Sequence, residues 1–185
     1  MTFKVEVKNL EDKIYRIIEI NNNMTLADLA YTILATFDTL GYHLYNVKHG
    51  NDICDCNILN IENNKYLKDA TSTKLIDLDF SNPNMIMKYD FGSSNIFTIT
   101  YLDSLEKEDN MFIKEGKGKG IIDDILGEDL VKIVNDIDVK SIPELYYPPG
   151  YVREEKYDYR NYDIENDNKM LEYHYRKIKE YYEED

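Results

Sequence analysis

Met85 to Leu102 reads MIMKYDFGSSNIFTITYL, two runs of alternating apolar and polar residues on either side of the break Tyr89-Asp90-Phe91-Gly92-Ser93-Ser94-Asn95. A period of two sends every second side chain to one face, so each run is a half-buried strand and the Gly/Ser/Asn cluster closes a hairpin. Gly92 is the residue expected to take a positive φ in that turn. Antiparallel pairing of this kind constrains architecture and leaves activity open.

The alternation recurs at the N-terminus, where Phe3, Val5 and Val7 interleave with Lys4, Glu6 and Lys8 before Asn9-Leu10-Glu11-Asp12 breaks the run and Ile14 to Ile20 resumes it. Thr25-Leu26-Ala27-Asp28 has capping spacing and opens a helix whose apolar positions are Leu26, Leu29, Ala30, Ile33, Leu34, Phe37 and Leu40, with Gly41 as its stop. Tyr42 to Val47 is strand-like, whereas His49 to Thr73 is polar and Asn-rich and reads as a long irregular connection. Lys74 to Leu78 and the turn Ser81-Asn82-Pro83-Asn84 lead into the hairpin. The order β-β-α-β, loop, β-β predicts an α+β fold: a two-layer sandwich with a mostly antiparallel sheet, a β-grasp-like topology being one option, and C-terminal helices.

Beyond Leu102 the chain is charged to Asn110, passes Glu115-Gly116-Lys117-Gly118-Lys119-Gly120, and forms a helix from about Glu128 to Val134. Pro143, Pro148 and Pro149 punctuate a Tyr-rich connector, and Ile164, Leu171, Tyr175, Ile178 and Tyr182 then recur at helical spacing. We therefore expect an α+β core over 1–135 and a Tyr-rich, acidic C-terminal extension over 136–185 carrying an amphipathic helix. The apolar face of that helix either packs back on its own domain or offers Leu171, Tyr175, Ile178 and Tyr182 to a protein partner.

The 185 residues suit one domain with an extension, and 22 Lys+Arg against 36 Asp+Glu give a net charge of -14. Such a field repels phosphate backbones, so nonspecific nucleic-acid binding is not expected, although carboxylates arrayed on one face would mimic nucleic acid. No basic segment followed by an apolar stretch opens the sequence, and no run approaches the ~18 apolar residues of a membrane span. The expectation is a cytoplasmic protein without membrane contact. Cys54 and Cys56 are too close for an ordinary loop-closing disulfide, which agrees with a reducing compartment.

No motif assigns a catalytic set, a cofactor or a metal. Asp90-Phe91-Gly92 matches a kinase triplet, but the His-Arg-Asp loop and strand lysine that would accompany it are missing. Gly116-Lys117-Gly118-Lys119-Gly120 has glycines for close approach to a phosphate, yet it fits neither nucleotide fingerprint and reads as a flexible loop. Adjacent Asp123 and Asp124 diverge on a helix or a strand, and only irregular backbone would aim both at one cation. His43, His49, Cys54 and Cys56 are of zinc-ligand type at poor spacing. Of 17 tyrosines, Tyr146, Tyr147, Tyr151, Tyr157, Tyr159, Tyr162, Tyr173, Tyr175, Tyr181 and Tyr182 cluster late, without the cationic groove that base stacking requires.

Several ordered blocks resemble the plasmid pRiA4b ORF-3-like family, whose members are often encoded in or near mobile elements. They are Ile14-Tyr15-Arg16-Ile17-Ile18, Thr25-Leu26-Ala27-Asp28-Leu29, His43-Leu44-Tyr45, Tyr89-Asp90-Phe91-Gly92, and Gly120-Ile121-Ile122-Asp123-Asp124 with Gly127. The resemblance implies an α+β fold and an uncharacterised role. Ser93, Ser94, Asn95 and Phe97 stand where the family usually has Asp-Asp-Trp and a histidine, and the cysteines it often has around the block from Gly120 to Gly127 are absent. Any family centre built on those groups would be depleted here.

The leading expectation is a non-enzymatic interaction module that captures a partner through its C-terminal helix. The alternative is a metal-dependent hydrolase or nuclease. The binding candidates are His43, Tyr89, Asp90, Asp123 and Asp124, and convergence of His43 with the three aspartates in one pocket would favour the alternative.

Overall fold

The computed structural model describes residues 1–56, 58–103, 111–136 and 157–183. The N-terminal alternation forms β1 (Thr2–Val7) and β2 (Tyr15–Glu19), an antiparallel hairpin. Next comes α1 (Leu26–Thr36), opened by the expected reciprocal cap: the Thr25 hydroxyl accepts the Asp28 amide at 3.1 Å, and the Asp28 carboxylate accepts the Thr25 amide at 2.8 Å. The helix ends about a turn before Gly41. Asp38 takes the left-handed conformation (φ 58) and the Thr39 amide reaches back to the Leu34 carbonyl at 3.2 Å, which closes the last turn early.

β3 (Tyr45–His49) pairs with β4 (Asp52–Asp55), followed by α2 (Ile58–Asn63) and β5 (Leu67–Asp69). This corrects the expected irregular connection over 49–73. Gly50, at φ 58, and Asn51 make a two-residue hairpin turn between the paired His49 and Asp52. After a short 3-10 turn at Leu75–Asp77 comes the leading hairpin, β6 (Asn84–Tyr89) and β7 (Asn95–Asp103), and β8 (Phe112–Lys117), α3 (Gly127–Asn135) and α4 (Ile164–Glu183) complete the described elements. Eight strands form one sheet in the order β5-β4-β3-β6-β7-β1-β2-β8, antiparallel throughout except β4 with β5. The fold is α+β, and among the described residues no helix is long and apolar enough to cross a membrane.

Alternate residues of the central strands point to one buried face. Phe3, Val5, Ile18, Val47, Met87, Phe97 and Ile99 meet α1 there through Leu26, Ala30, Ile33 and Leu34. Tyr31 packs edge-on to Tyr45 at 5.9 Å, and Phe37 lies 4.9 Å from Phe97. Helix α4 joins the same core, with Leu171, Tyr175 and Ile178 all buried and α1 as its main neighbour. Burial of such side chains contributes roughly 2 kcal/mol each before entropy is counted. Asp28 anchors this helix, accepting the Tyr175 hydroxyl at 2.6 Å and the Lys179 ammonium at 2.7 Å.

Edge strand β8 is also closed by α4. The Asn168 side chain accepts the Ile113 amide at 2.8 Å and donates to the Ile113 carbonyl at 2.9 Å, imitating the next strand and blocking addition of another chain there. The glycine-rich segment, which begins inside β8, departs from the expected flexible or phosphate-wrapping loop. The Lys117 and Gly118 carbonyls turn toward Arg16, while a Cβ at Gly120 would lie 1.9 Å from the Phe37 carbonyl oxygen.

Arg16 itself has no exposed surface. It donates to the carbonyls of Thr36 (3.1 Å), Tyr15 (2.8 Å), Lys117 (3.0 Å) and Gly118 (2.8 Å), and its guanidinium stacks 3.8 Å from the Tyr162 ring centroid. An ammonium cannot reproduce this planar fork. Arg16→Lys is therefore expected to lose about 3 kcal/mol in urea unfolding, because buried carbonyls are left without donors.

The Asp28 cluster gives a pH prediction. Burial pushes its carboxyl upward, but Lys179, the Thr25 amide and Tyr175 together pull it down to a net value below the ordinary one. A depressed folded pKa means stability that is present above the ordinary value of about 3.9 and is lost as pH falls through the lower folded value. Asp28→Asn should be less stable than wild type at neutral pH and should flatten that acid limb in a pH series of melting temperatures. Asp28→Ala, which removes cap and anchor together, is expected to cost about 3 kcal/mol.

Candidate metal centre

Three loops meet at one end of the sheet. They are the 37–44 segment between α1 and β3, the turn between β6 and β7, and the 120–126 segment before α3. Each is tied to another through backbone groups. The Asp90 amide donates to the Leu44 carbonyl at 3.0 Å, the Gly127 amide to the Ser93 carbonyl at 2.9 Å, and the Leu40 amide to Asp123 Oδ2 at 2.6 Å.

These ties bring together residues far apart in sequence. His43 Nε2 lies 3.0 Å from Asp124 Oδ1 and 3.7 Å from Asp90 Oδ2, and one donor atom from each of the three falls within 4.8 Å of the others. Both aspartates sit on left-handed backbone, Asp90 at φ 53 and Asp124 at φ 63. In the hairpin turn the positive φ falls on Asp90 and Ser94 (φ 56) rather than on Gly92. Aspartate tolerates that region better than most residues, and non-glycine residues held there concentrate at functional sites.

The electrostatics differ among the carboxylates. For Asp90, burial works upward, but hydrogen bonding from Ser93 and Gly92 and the neighbouring His43 outweigh it and hold the group below its ordinary pKa. Asp124 is half exposed, and its second oxygen accepts the Tyr42 hydroxyl. Burial, together with that carboxylate, pushes the Tyr42 hydroxyl upward, so it remains a donor. Asp123 faces the other way. Its Oδ1 is buried beside the hydroxyl of fully buried Tyr89, and burial raises the Asp123 pKa despite the Leu40 amide and that hydroxyl. Burial and the adjacent Asp123 in turn raise that of Tyr89.

Of the binding candidates, His43, Asp90 and Asp124 therefore present ligand atoms together, while Asp123 and Tyr89 form a buried layer behind them. The tandem aspartates divide their roles, one buttressing a loop and one facing outward. An imidazole and two carboxylates are a fitting donor set for a divalent transition ion, with Tyr42 orienting one carboxylate. Tyr42 has no distinguishing signal in the sequence. Ser93 appears there only as a departure from the family pattern, yet it supports Asp90. The other zinc-type residues do not gather: His49 contacts the Asn82 carbonyl at 2.9 Å, and Cys56 Sγ accepts the Tyr45 amide at 3.2 Å.

The helix candidates lie elsewhere. Leu171, Tyr175 and Ile178 are covered by the chain's own core, and Tyr182 donates to the His43 carbonyl while stacking on Tyr31 at 5.3 Å. Tyr146, Tyr147 and Tyr151, with Pro143, Pro148 and Pro149, lie outside the described residues.

The fold has a solved counterpart. The crystal structure of MM3350, a protein of unknown function from Methanosarcina mazei Go1, aligns with a TM-score of 0.62 at 22% identity, covering 71% of this chain and 76% of that one. At this identity the likeness is one of fold. No curated protein matches the sequence. The family model described as plasmid pRiA4b ORF-3-like protein matches residues 1–166, a span that includes all three candidate ligands. The chain belongs to the plasmid pRiA4b ORF-3-like family.

Proposed function

We propose that the chain is a divalent-metal-dependent hydrolase whose ion is held by His43, Asp90 and Asp124. The observation that carries this reading is the convergence of those three donors, from three separate loops, within 4.8 Å. Three protein ligands leave coordination positions for a water and a substrate oxygen, and a bound ion lowers the pKa of such a water toward neutrality. The interaction-module reading is less well supported, because the apolar face of α4 on which it stands is already covered.

The surroundings narrow the substrate. Asp123, next to Asp124 in the chain, and the α3 first-turn residues Glu128 and Asp129 add negative charge to the segment that carries Asp124, which disfavours a polyanion. Leu44, Phe91 and Leu126, all exposed, lie one or two positions from a ligand in sequence. A neutral or cationic ester or amide with an apolar group suits this rim better than a phosphodiester. After metal removal, Mn²⁺ or Zn²⁺ is expected to restore hydrolysis of a neutral p-nitrophenyl ester and to leave bis(p-nitrophenyl) phosphate nearly untouched. Phosphodiester cleavage in preference to the ester would overturn the substrate assignment.

Metal binding itself has a direct readout. An ion at about 100 times its Kd adds about 2.7 kcal/mol, or a rise in melting temperature of roughly 5–10 °C for a chain of this size. Asp124→Asn and Asp90→Asn should abolish the rise, and Mn²⁺ or Zn²⁺ should outperform Mg²⁺ because one ligand is an imidazole. Asp123→Asn keeps an oxygen for the Leu40 amide and should retain most of the shift. No shift with any of these ions in the wild-type chain would refute the centre.

A further inference from the structure

Resting on the metal-centre reading above, we infer that Tyr182, in the last turn of α4, is a positioning residue for that centre, setting the reach of His43 toward Asp90 and Asp124. The segment that carries His43 belongs to no helix or strand and is held from outside. Gly41 (φ 69) rests directly on α4, since a Cβ there would lie 2.7 Å from Ile178 Cγ1. One residue on, the Tyr42 carbonyl accepts the Tyr181 hydroxyl at 3.4 Å, and the next carbonyl, that of His43, accepts the Tyr182 hydroxyl. Consecutive residues of the loop are therefore matched to one end of a single helix.

The Tyr182 donor is itself fixed. Its ring stacks on Tyr31 at 5.3 Å and 15° and meets Tyr45 edge-on at 5.3 Å and 84°. Both of those rings are fully buried. The Lys179 and Tyr175 contacts to Asp28 hold the helix on α1 one and two turns earlier. A hydrogen bond to the His43 carbonyl thus pins the Cα from which Nε2 extends, and that atom has two carboxylates to satisfy at once. Groups that orient a metal ligand without touching the ion typically account for 10–100-fold in affinity. Tyr182 does so through the main chain, at the opposite end of the residue from the imidazole.

The test is Tyr182→Phe in the full chain, which keeps the ring stack and deletes the hydroxyl, with exposed Tyr173→Phe as control. Mn²⁺ affinity should fall about tenfold, the visible spectrum of the Co²⁺-loaded protein should change, and the metal-free melting temperature should stay near that of wild type. In metal-free protein, the NMR signal of the His43 imidazole, assigned with His43→Gln, should move in Tyr182→Phe and not in Tyr173→Phe. Wild-type affinity and an unmoved imidazole signal in Tyr182→Phe would overturn the inference. If the wild-type chain takes up no metal, the reading of the centre fails and the imidazole signal alone decides the role of Tyr182. Exposed Tyr181→Phe provides a second variant, expected to move the same signal by less. An unmoved signal in both tyrosine variants overturns the proposal even if Tyr182→Phe folds poorly.

Discussion

Arg16 has no exposed surface, yet a guanidinium does not give up its proton inside a protein, so its charge has to be met where it lies. It is met chiefly by main-chain dipoles and aromatic faces. Four carbonyls, from β2, the end of α1 and the segment leaving β8, accept its protons, and the Tyr162 and Phe37 rings sit at 3.8 and 4.9 Å from its carbon. The Asp167 carboxylate stands 4.0 Å away, and burial pushes that group up to about 6. One buried side chain thereby ties sheet, helix and C-terminal segment to one another: its Nε and Nη1 are spent on carbonyls of the first two, while Nη2, which has no hydrogen-bond partner, faces Asp167 of the third.

That tie extends to the candidate centre through a short relay. Arg16 holds the Thr36 carbonyl and lies against Phe37. The Phe37 carbonyl accepts the Ile121 amide at 2.9 Å, with Gly120 pressed so closely beneath it that no larger residue fits. Two residues later Asp123 takes the Leu40 amide, and Asp124 is left facing His43. The end of α1 thus places both sides of the centre: the loop before β3, because the chain leaves the helix after Thr36 and turns at Asp38, and the acidic loop before α3, because it hydrogen-bonds to the Phe37 carbonyl at that end. Asp124 needs its left-handed backbone because the chain must turn its carboxylate outward immediately after Asp123 has turned inward.

Much of this architecture is legible in the sequence, where local chemistry suffices. The β1–β2 and β6–β7 hairpins follow from alternation, α1 from Thr25 and Asp28, and α4 from the spacing of Leu171, Tyr175 and Ile178. The misses share a cause. β4, β5 and β8 are short or edge strands whose polar residues carry no alternation strong enough to read, and the Gly50-Asn51 turn that betrays the β3–β4 hairpin sits in an Asn-rich background. The end of α1 is set by Asp38 rather than by the glycine that conventionally marks such an end. The site is partly legible: His43, Asp90 and Asp124 are of ligand type and lie in family-like blocks. Their convergence depends on loop-to-loop hydrogen bonds, most of them from backbone groups that any sequence possesses, and Tyr42 and Ser93 are invisible because their partners lie far away or in a turn with no motif of its own. Arg16 appears in the sequence only as part of a family block, because nothing local to a strand announces that its one charged inward residue will be solvated by carbonyls from other elements.

The boundary of the family match separates two layers of the site. All three candidate ligands, the Arg16 tie and the Phe37 relay lie within residues 1–166, whereas α4 runs from Ile164 to Glu183 and contributes Ile178, Tyr181 and Tyr182 from beyond that span. The donor set is thus built on the matched core, and the clamp on the His43 loop is supplied from outside it. These layers have different physical demands. A donor set must place oxygen and nitrogen atoms within a few tenths of an ångström, which favours short loops fixed at both ends by a sheet and a helix. A clamp needs only to remove slack from one of those loops, and a helix anchored independently at Asp28 does so through the His43 main chain, without touching the donor atoms. A chain with the same core and another C-terminal segment would have to hold the Gly41–His43 backbone by other means. Otherwise its imidazole would remain free to move off the line joining Asp90 and Asp124.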